Sequence, residues 1–301
     1  VFDRFLHLRR LYKAGNLGGA AVFGLMLTAL AGCTPSDVLN ATISERGLTV
    51  TRDIAYSPDA KQTLDIYVPK AAAPNAPVIV FFYGGAWQTG DKKDYLFAAQ
   101  AFASKGNIVV VPNYRVYPQV TFPGFIDDGA MAVAWTASHI GAYGGNPDGL
   151  FIIGHSAGAH IALMLALDAH YLTDAGVPQS KIAGVVGISG PYDFLPLTRD
   201  DIKPIFEVVP DLAVTQPIHF VRDDAPPLLL LTGDDDDTVG PYNTNNLTER
   251  MRQVGGRVEK RIYPGVGHVG SILAVTPLFR GKAPVLDDIE TFIRQHKTKA
   301  P

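Results

Sequence analysis

Residues 150–167 constrain this chain more than any other stretch. An apolar run (Leu150, Phe151, Ile152, Ile153) ends in Gly154-His155-Ser156-Ala157-Gly158, and residues 159–167 then read as a helix that is apolar on nearly every face. A strand that passes directly into a buried helix needs a sharp turn. Bulk two residues before or after Ser156 would collide across that turn, and Gly154 and Gly158 remove it. The Ser156 hydroxyl then stands clear of the sheet. The helix N-terminus starting at Ala157 aims backbone N–H groups at any negative charge that develops there. Ser156 is therefore a candidate nucleophile.

The rest of the chain repeats the same alternation. Continuous apolar runs at 78–83, 108–111, 182–189 and 228–232 read as buried strands, and 258–263 as the last strand. Helical patterns lie between and after them, at 95–104, 122–143, 242–254 and 285–296. This order predicts a mostly parallel central sheet with helices on both faces. Hydrophobic residues make up 47% of the chain and charged residues only 18%, which suits a core filled from both sides. Residues 48–56 and 62–68 read as an antiparallel pair at a sheet edge, joined by the turn Ser57-Pro58-Asp59-Ala60. Residues 191–227 are rich in proline and lack a clean period. They read as loops and short helices above the sheet, forming a small lid segment. The expected domain runs over 48–301.

Residues 1–32 read as a sorting signal. Arg4, Arg9, Arg10 and Lys13 precede an apolar stretch at 20–30, too short to span a bilayer comfortably. It ends in Leu30-Ala31-Gly32-Cys33, which resembles a bacterial lipobox. Cys33 is the only cysteine and falls at the lipidation position. That resemblance implies a lipoprotein whose mature chain starts at a lipidated Cys33, followed by a polar tether over 33–47. Thr34 after the cysteine implies outer-membrane rather than inner-membrane retention, with the domain facing the periplasm or the cell surface. A single cysteine leaves no intrachain disulfide and no cysteine metal cluster. A net charge of −3 without a basic stripe gives nucleic-acid binding no electrostatic support.

A nucleophilic serine needs a base, and ligands of such sheets bind beyond the carboxyl ends of the strands. Among the eight histidines, His268 alone sits in a flexible glycine-rich loop directly after the final strand. His139, His160 and His170 lie in helical patterns, His7 in the signal, His219 in the proline-rich segment and His296 in the last helix. His155, beside the serine, should point away from substrate. His268 is the candidate general base. An orienting carboxylate should lie between Ser156 and His268, and Asp234, Asp235, Asp236 and Asp237 follow a strand in that interval. Both calcium-loop registers through these aspartates fail, so no metal site is expected. Gly265, Gly267 and Gly270 spell a dinucleotide fingerprint but lack the long helix it needs. Gly84, Gly85 and Ala86, after a central strand, together with Ala157 supply backbone donors for an oxyanion hole.

At this point the chain resembles the carboxylesterase branch of the α/β-hydrolases. That branch includes hormone-sensitive-lipase-like, feruloyl/acetyl esterase-like, kynurenine formamidase-like and prenylcysteine methylesterase-like enzymes. The resemblance runs from about residue 48 to the end. It rests on Leu64-Asp65-Ile66-Tyr67-Val68-Pro69, Tyr83-Gly84-Gly85-Ala86-Trp87, Asn113-Tyr114-Arg115, the Ser156 pentapeptide and the loops of Asp236 and His268. Gly233-x-x-Asp236-x-x-Val239 resembles the setting of the hydrolase acid and favours Asp236, with Asp235 and Asp237 as alternatives. The resemblance implies an α/β-hydrolase fold and a cofactor-free serine esterase using Ser156, His268 and Asp236 on a small-molecule ester. Amide hydrolysis of the formamidase type and an inactive surface binding protein are the other readings. One departure stands out: Tyr83 occupies the position where the family usually has a histidine before Gly-Gly-x-Trp.

Overall fold

The structure is a computed structural model that describes residues 35–297. The sorting signal of residues 1–32 and the expected lipidation site Cys33 lie outside the described residues. The chain divides into two compact units, Val1–Thr42 and Ile43–Pro301. Within the first, a short helix α1 (Pro35–Asn40) occupies part of the stretch read as a tether. It carries Asp37 in its first turn, where a negative charge favours the helix.

The second unit is built on one eight-stranded sheet. Its strands are β1 (Leu48–Ala55), β2 (Thr63–Pro69), β3 (Ala76–Phe82), β4 (Ile108–Pro112), β5 (Gly145–His155), β6 (Ile182–Ile188), β7 (Leu228–Gly233) and β8 (Val258–Tyr263), in the spatial order β1-β2-β4-β3-β5-β6-β7-β8. β2 runs antiparallel to both β1 and β4, and every later pairing is parallel. The helices are α2 (Leu96–Ala103), α3 (Gly124–His139), α4 (Ala157–Leu167), α5 (Ala169–Asp174), α6 (Lys203–Phe206), α7 (Tyr242–Gln253), α8 (His268–Leu273) and α9 (Val285–His296). This is the mostly parallel sheet with flanking helices expected from the alternation of strands and helices.

Burial follows the sequence pattern. All residues of β4 and β7 are buried, as their unbroken apolar runs require. β8 carries Glu259, Lys260 and Arg261 and is largely open, as an edge strand should be. All eleven residues of α4 are buried, because the helix is packed on β5 and β6 on one side and on α3 on another. The close α3 contact needs Gly129, where an added Cβ would lie 2.8 Å from Ile161 Cγ2.

The register of the parallel ladder lines up the carboxyl ends of five strands. Phe82 pairs with Gly154, His155 with Ile188, Ile188 with Leu231, and Gly233 with Tyr263. Residues that follow β3, β5, β6, β7 and β8 therefore emerge on one rim.

On the far side, α9 sets Leu286, Ile289, Phe292 and Ile293 against the sheet. The same buried face holds Glu290, whose carboxylate accepts a 2.7 Å hydrogen bond from Asn107 Nδ2. Burial pushes the Glu290 carboxyl up from 4.5 to about 7, against the opposing pull of the Asn107 bond. In that interval the folded protein holds a proton that the unfolded chain has released. Stability should therefore fall as pH rises from about 4.5 to about 7, by about 3 kcal/mol. Glu290→Gln should remove most of this slope in urea-unfolding curves recorded across that range.

Candidate active site

The turn after β5 is as tight as the glycines imply. Ser156 sits at φ 55°, ψ −122°, a conformation that costs a non-glycine residue about 1–3 kcal/mol. A Cβ at Gly154 would lie 2.1 Å from the Gly158 carbonyl oxygen, and one at Gly158 would lie 2.1 Å from the Phe82 oxygen. The Ser156 N–H donates to Ile188 O at 2.9 Å, which anchors the turn to β6. Ala157 begins α4, so the first N–H groups of a wholly buried helix lie beside the serine.

The rim brings Ser156, His268 and Asp236 into one line. His268 Nε2 is 2.9 Å from Ser156 Oγ, and His268 Nδ1 is 2.9 Å from Asp236 Oδ2 and 3.1 Å from Oδ1. Asp236 is the one buried member of the four consecutive aspartates; Asp234, Asp235 and Asp237 are exposed. Its Oδ1 also accepts N–H bonds from Val239 at 2.8 Å and Thr238 at 3.1 Å. Burial pushes the Asp236 carboxyl up, but bonds from His268 and from the Val239 N–H outweigh it and hold it below the ordinary range. It is thus an anion aimed at Nδ1 of the imidazole, the arrangement that leaves Nε2 free to take a proton from the serine.

Two histidines behave differently from His268. The loop that was expected to carry the base is the start of a helix, with His268 as the first residue of α8 behind Gly267. His155 is buried; its Nε2 reaches the His268 carbonyl at 3.2 Å, and burial pushes its pKa down to about 3. It therefore remains neutral and donates Nε2–H to the backbone of the neighbouring histidine. His160 lies wholly buried in α4 with Nε2 at 2.8 Å from Thr215 O.

Gly84, Gly85, Ala86 and Ala157 all line the same cleft as Ser156 and His268. Gly84 approaches so closely that an added Cβ would lie 3.0 Å from Ser156 Cβ. Gly85 has φ +141° and its added Cβ would strike Thr89 O at 2.1 Å; Ala86 and Trp87 follow at φ 51° and 58°. Three consecutive left-handed residues curl the loop back toward the serine, where small side chains leave the backbone exposed to a ligand.

Tyr83 supports this loop from below. Its hydroxyl donates to Asn113 Oδ1 at 2.9 Å, and its ring stacks between Tyr95 and Tyr114, with centroids 5.5 and 4.6 Å away. Tyr114 in turn donates to the Tyr83 carbonyl at 2.7 Å. Asn113 Oδ1 also accepts the Lys92 N–H at 2.7 Å. Lys92 is buried and pairs with Asp65 at 2.8 Å and Asp53 at 2.6 Å. Sequence reading flagged Tyr83 but not this support; the signal was Asn113-Tyr114, which lies after the neighbouring strand.

The cleft has a volume of about 750 Å³. Its wall on one side is Trp87, packed edge-on to Phe206 (4.7 Å, 87°) and near-parallel to Phe194 (5.9 Å, 29°). Phe194 and Phe206 belong to the proline-rich segment, which therefore packs on Trp87 and supplies part of the cleft wall through Phe194. Gln88 Nε2 reaches Asp201 Oδ2 at 3.3 Å and adds a polar tie between the two.

A family model described as BD-FAE matches residues 64–251, more than half of the chain. The isoprenylcysteine alpha-carbonyl methylesterase of Arabidopsis thaliana is 28% identical over 265 residues, covering 81% of this chain and 62% of the relative. The kynurenine formamidase of Danio rerio is 29% identical over 190 residues, covering 59% of this chain and 61% of the relative. The chain thus spans about three fifths of the length of these curated relatives. A truncated carbohydrate esterase from gut microbiota superimposes with a TM-score of 0.73 at 23% identity, over 85% of this chain and 99% of that one. Together with the sheet order, this likeness defines the fold.

Tyr83→Phe keeps the ring stack and leaves Asn113 Oδ1 with the Lys92 N–H, so it should cost about 1 kcal/mol. Asn113→Ala strands a buried hydroxyl and a buried N–H together and should cost about 3 kcal/mol. Urea midpoints of the two variants should fall in that order.

Proposed function

Because the chain belongs to the BD-FAE family, within the carboxylesterase branch of the α/β-hydrolases, we propose that it is a serine hydrolase of carboxylic esters. The observation that carries this reading is the continuous line from Asp236 through His268 to Ser156 Oγ, opening into a cleft. Ser156 Oγ attacks the ester carbonyl carbon as its proton passes to His268 Nε2. The resulting oxyanion lies against the N–H groups of Gly85, Ala86 and Ala157, with Gly84 shaping the loop. The C–O bond to the alcohol then breaks, and His268 returns the proton to the departing oxygen. Water attacks the acyl-enzyme, giving its proton to His268, and the carboxylic acid leaves as Ser156 recovers its own. Asp236 holds the imidazole in the required tautomer and stays ionised throughout. The chemistry needs no cofactor.

The substrate is a small-molecule ester with a short or medium acyl group, held against Trp87 and Phe194. Amide hydrolysis of the formamidase type is the second reading, favoured by the similarity to the Danio rerio relative. Both use the same nucleophile and differ in the leaving group that His268 must protonate. The lipid anchor at Cys33, with outer-membrane placement, rests on the sequence motif.

A fluorophosphonate probe should label the wild-type protein and not Ser156→Ala; a folded wild-type protein that resists the probe would sink the hydrolase reading. Asp236→Asn should lower kcat on p-nitrophenyl acetate by roughly 10⁴-fold, whereas Asp235→Asn and Asp237→Asn should stay within about three-fold. A p-nitrophenyl ester series run beside formyl anilides separates ester from amide preference. In a bacterial host, Cys33→Ala should release the protein from the membrane fraction; retention after normal processing would reject the lipid anchor.

A further inference from the structure

We infer that His160 is a positioning residue that fixes the acyl-side wall of the cleft: its Nε2–H ties the nucleophile helix α4 to the segment carrying Phe194, and so limits the length of acyl group the site accepts. The inference rests on the ester-hydrolase reading above, with the acyl group against Trp87 and Phe194, and names the residue that sets this specificity.

His160 lies one helical turn beyond the nucleophile, and its N–H donates to the Ser156 carbonyl at 3.1 Å. Its side chain is wholly buried. Burial pushes its pKa down to about 4, against the pull of the Thr215 bond, so the ring is neutral and carries one N–H. Nε2 lies 2.8 Å from the Thr215 carbonyl oxygen, 55 residues along the chain, and is therefore the donor. Nδ1 is left as a buried acceptor with no hydrogen-bond partner among the described residues. A phenylalanine would fill the place without a stranded acceptor, so packing alone does not account for an imidazole here.

The bond leads to the cleft wall in short steps. Gln216, next to Thr215 and wholly buried, accepts the Phe194 N–H on Oε1 at 2.7 Å, while its Nε2 donates to Thr215 Oγ1 at 2.7 Å. Thr215 Oγ1 donates in turn to the Leu212 carbonyl at 2.7 Å, which closes the turn at 212–215. Phe194 lines the cleft, and its ring returns to the start of the path. It stands edge-on to His160, with centroids 5.7 Å apart, and near-parallel to Trp87. His160 is itself edge-on to Trp87, 5.2 Å away at 88°. Asn243 Oδ1 accepts the N–H groups of Tyr192 and Asp193 at 2.9 and 2.8 Å, so the chain before Phe194 is anchored separately. The Phe194 N–H depends on Gln216, and Gln216 follows a turn whose carbonyl is pinned to α4 by His160. A buried carbonyl deprived of its donor is costly, which drives the turn to shift. Phe194 then swings away from Trp87 and lengthens the acyl side of the cleft.

The test measures kcat/KM for p-nitrophenyl butyrate and p-nitrophenyl octanoate, which share a leaving group and differ only in acyl length. His160→Phe keeps a ring and removes the donor. Its octanoate-to-butyrate ratio should rise roughly ten-fold over wild type, the scale on which a pocket wall discriminates a methylene. His160→Gln loses the ring but keeps an N–H of the same reach, so its ratio should stay near that of wild type. Gln216→Leu frees the Phe194 N–H and should raise the ratio in the same direction as His160→Phe. The double variant should rise no further than the larger single change, because both break one line. Equal losses on both esters, a ratio that follows the ring instead of the donor, or multiplying effects in the double variant would overturn the inference. If His160→Phe does not fold, Gln216→Leu decides alone, and a wild-type ratio in it overturns the proposal. Fluorophosphonate labelling separates the two levels. A wild-type protein that neither labels nor hydrolyses either ester removes the hydrolase reading, whereas labelled variants with wild-type ratios remove only the role of His160.

Discussion

The site depends on one close approach between backbones. The Cα of Gly158 presses against the end of β3, so near that a methyl group there would overlap the Phe82 carbonyl. This contact drives the N-terminus of α4 into the sheet rim. It holds Ser156 in its strained turn and sets the oxyanion loop beside it, because Phe82 leads directly into Tyr83 and Gly84. The strain at Ser156 is small compared with what opposes its release. Ile161, Leu163, Met164, Leu165 and Leu167 of α4 are all buried, and each contributes roughly 2 kcal/mol when removed from water. The helix cannot relax outward without giving up that burial.

A second layer of the structure is polar and lies under the oxyanion loop. Tyr83, Asn113 and Lys92 meet there, with Asp65 and Asp53 neutralising the lysine. Nearby, Asp128 is buried and bound by Arg115 and Gln62. A buried ion pair is weak evidence for stability but strong evidence for a defined arrangement, since a displaced partner leaves an uncompensated charge. Here that rigidity is delivered to three consecutive left-handed residues. On the other side, Trp87 joins the loop to Phe194 and Phe206, so the proline-rich segment and the oxyanion loop share one aromatic packing unit. A change in the shape of Phe194 or Phe206 therefore cannot be made independently of the loop at residues 84–87.

Much of this was legible in the sequence because its causes are local. The strand-turn-helix around Ser156 needs only its own glycines and apolar runs. The antiparallel β1–β2 edge follows from alternation, and the order of serine, aspartates and His268 follows from residues that succeed strands. What escaped was whatever is decided by contact. Four consecutive aspartates look alike until burial and the Val239 N–H select Asp236. Gly265, Gly267 and Gly270 read as a loose loop, yet His268 begins a helix once its neighbours pack. Tyr83 looked like a departure until Asn113, 30 residues later, accepted its hydrogen bond.

The alignment of five strand ends on one rim also has a temporal side. Ser156 lies near the middle of the chain, while His268, its hydrogen-bond partner, comes after β8 and close to the end. β8 pairs only with β7, and α9 packs after it, so the last pieces of the sheet are the ones that deliver the imidazole. A chain still emerging from the ribosome, or one held unfolded, contains the elbow sequence but not the line of hydrogen bonds from Asp236 through His268 to Ser156. Non-local assembly of this kind is slow compared with local helix formation. The same topology that slows folding thus leaves Ser156 without its histidine partner until the last strand and helix of the domain are in place.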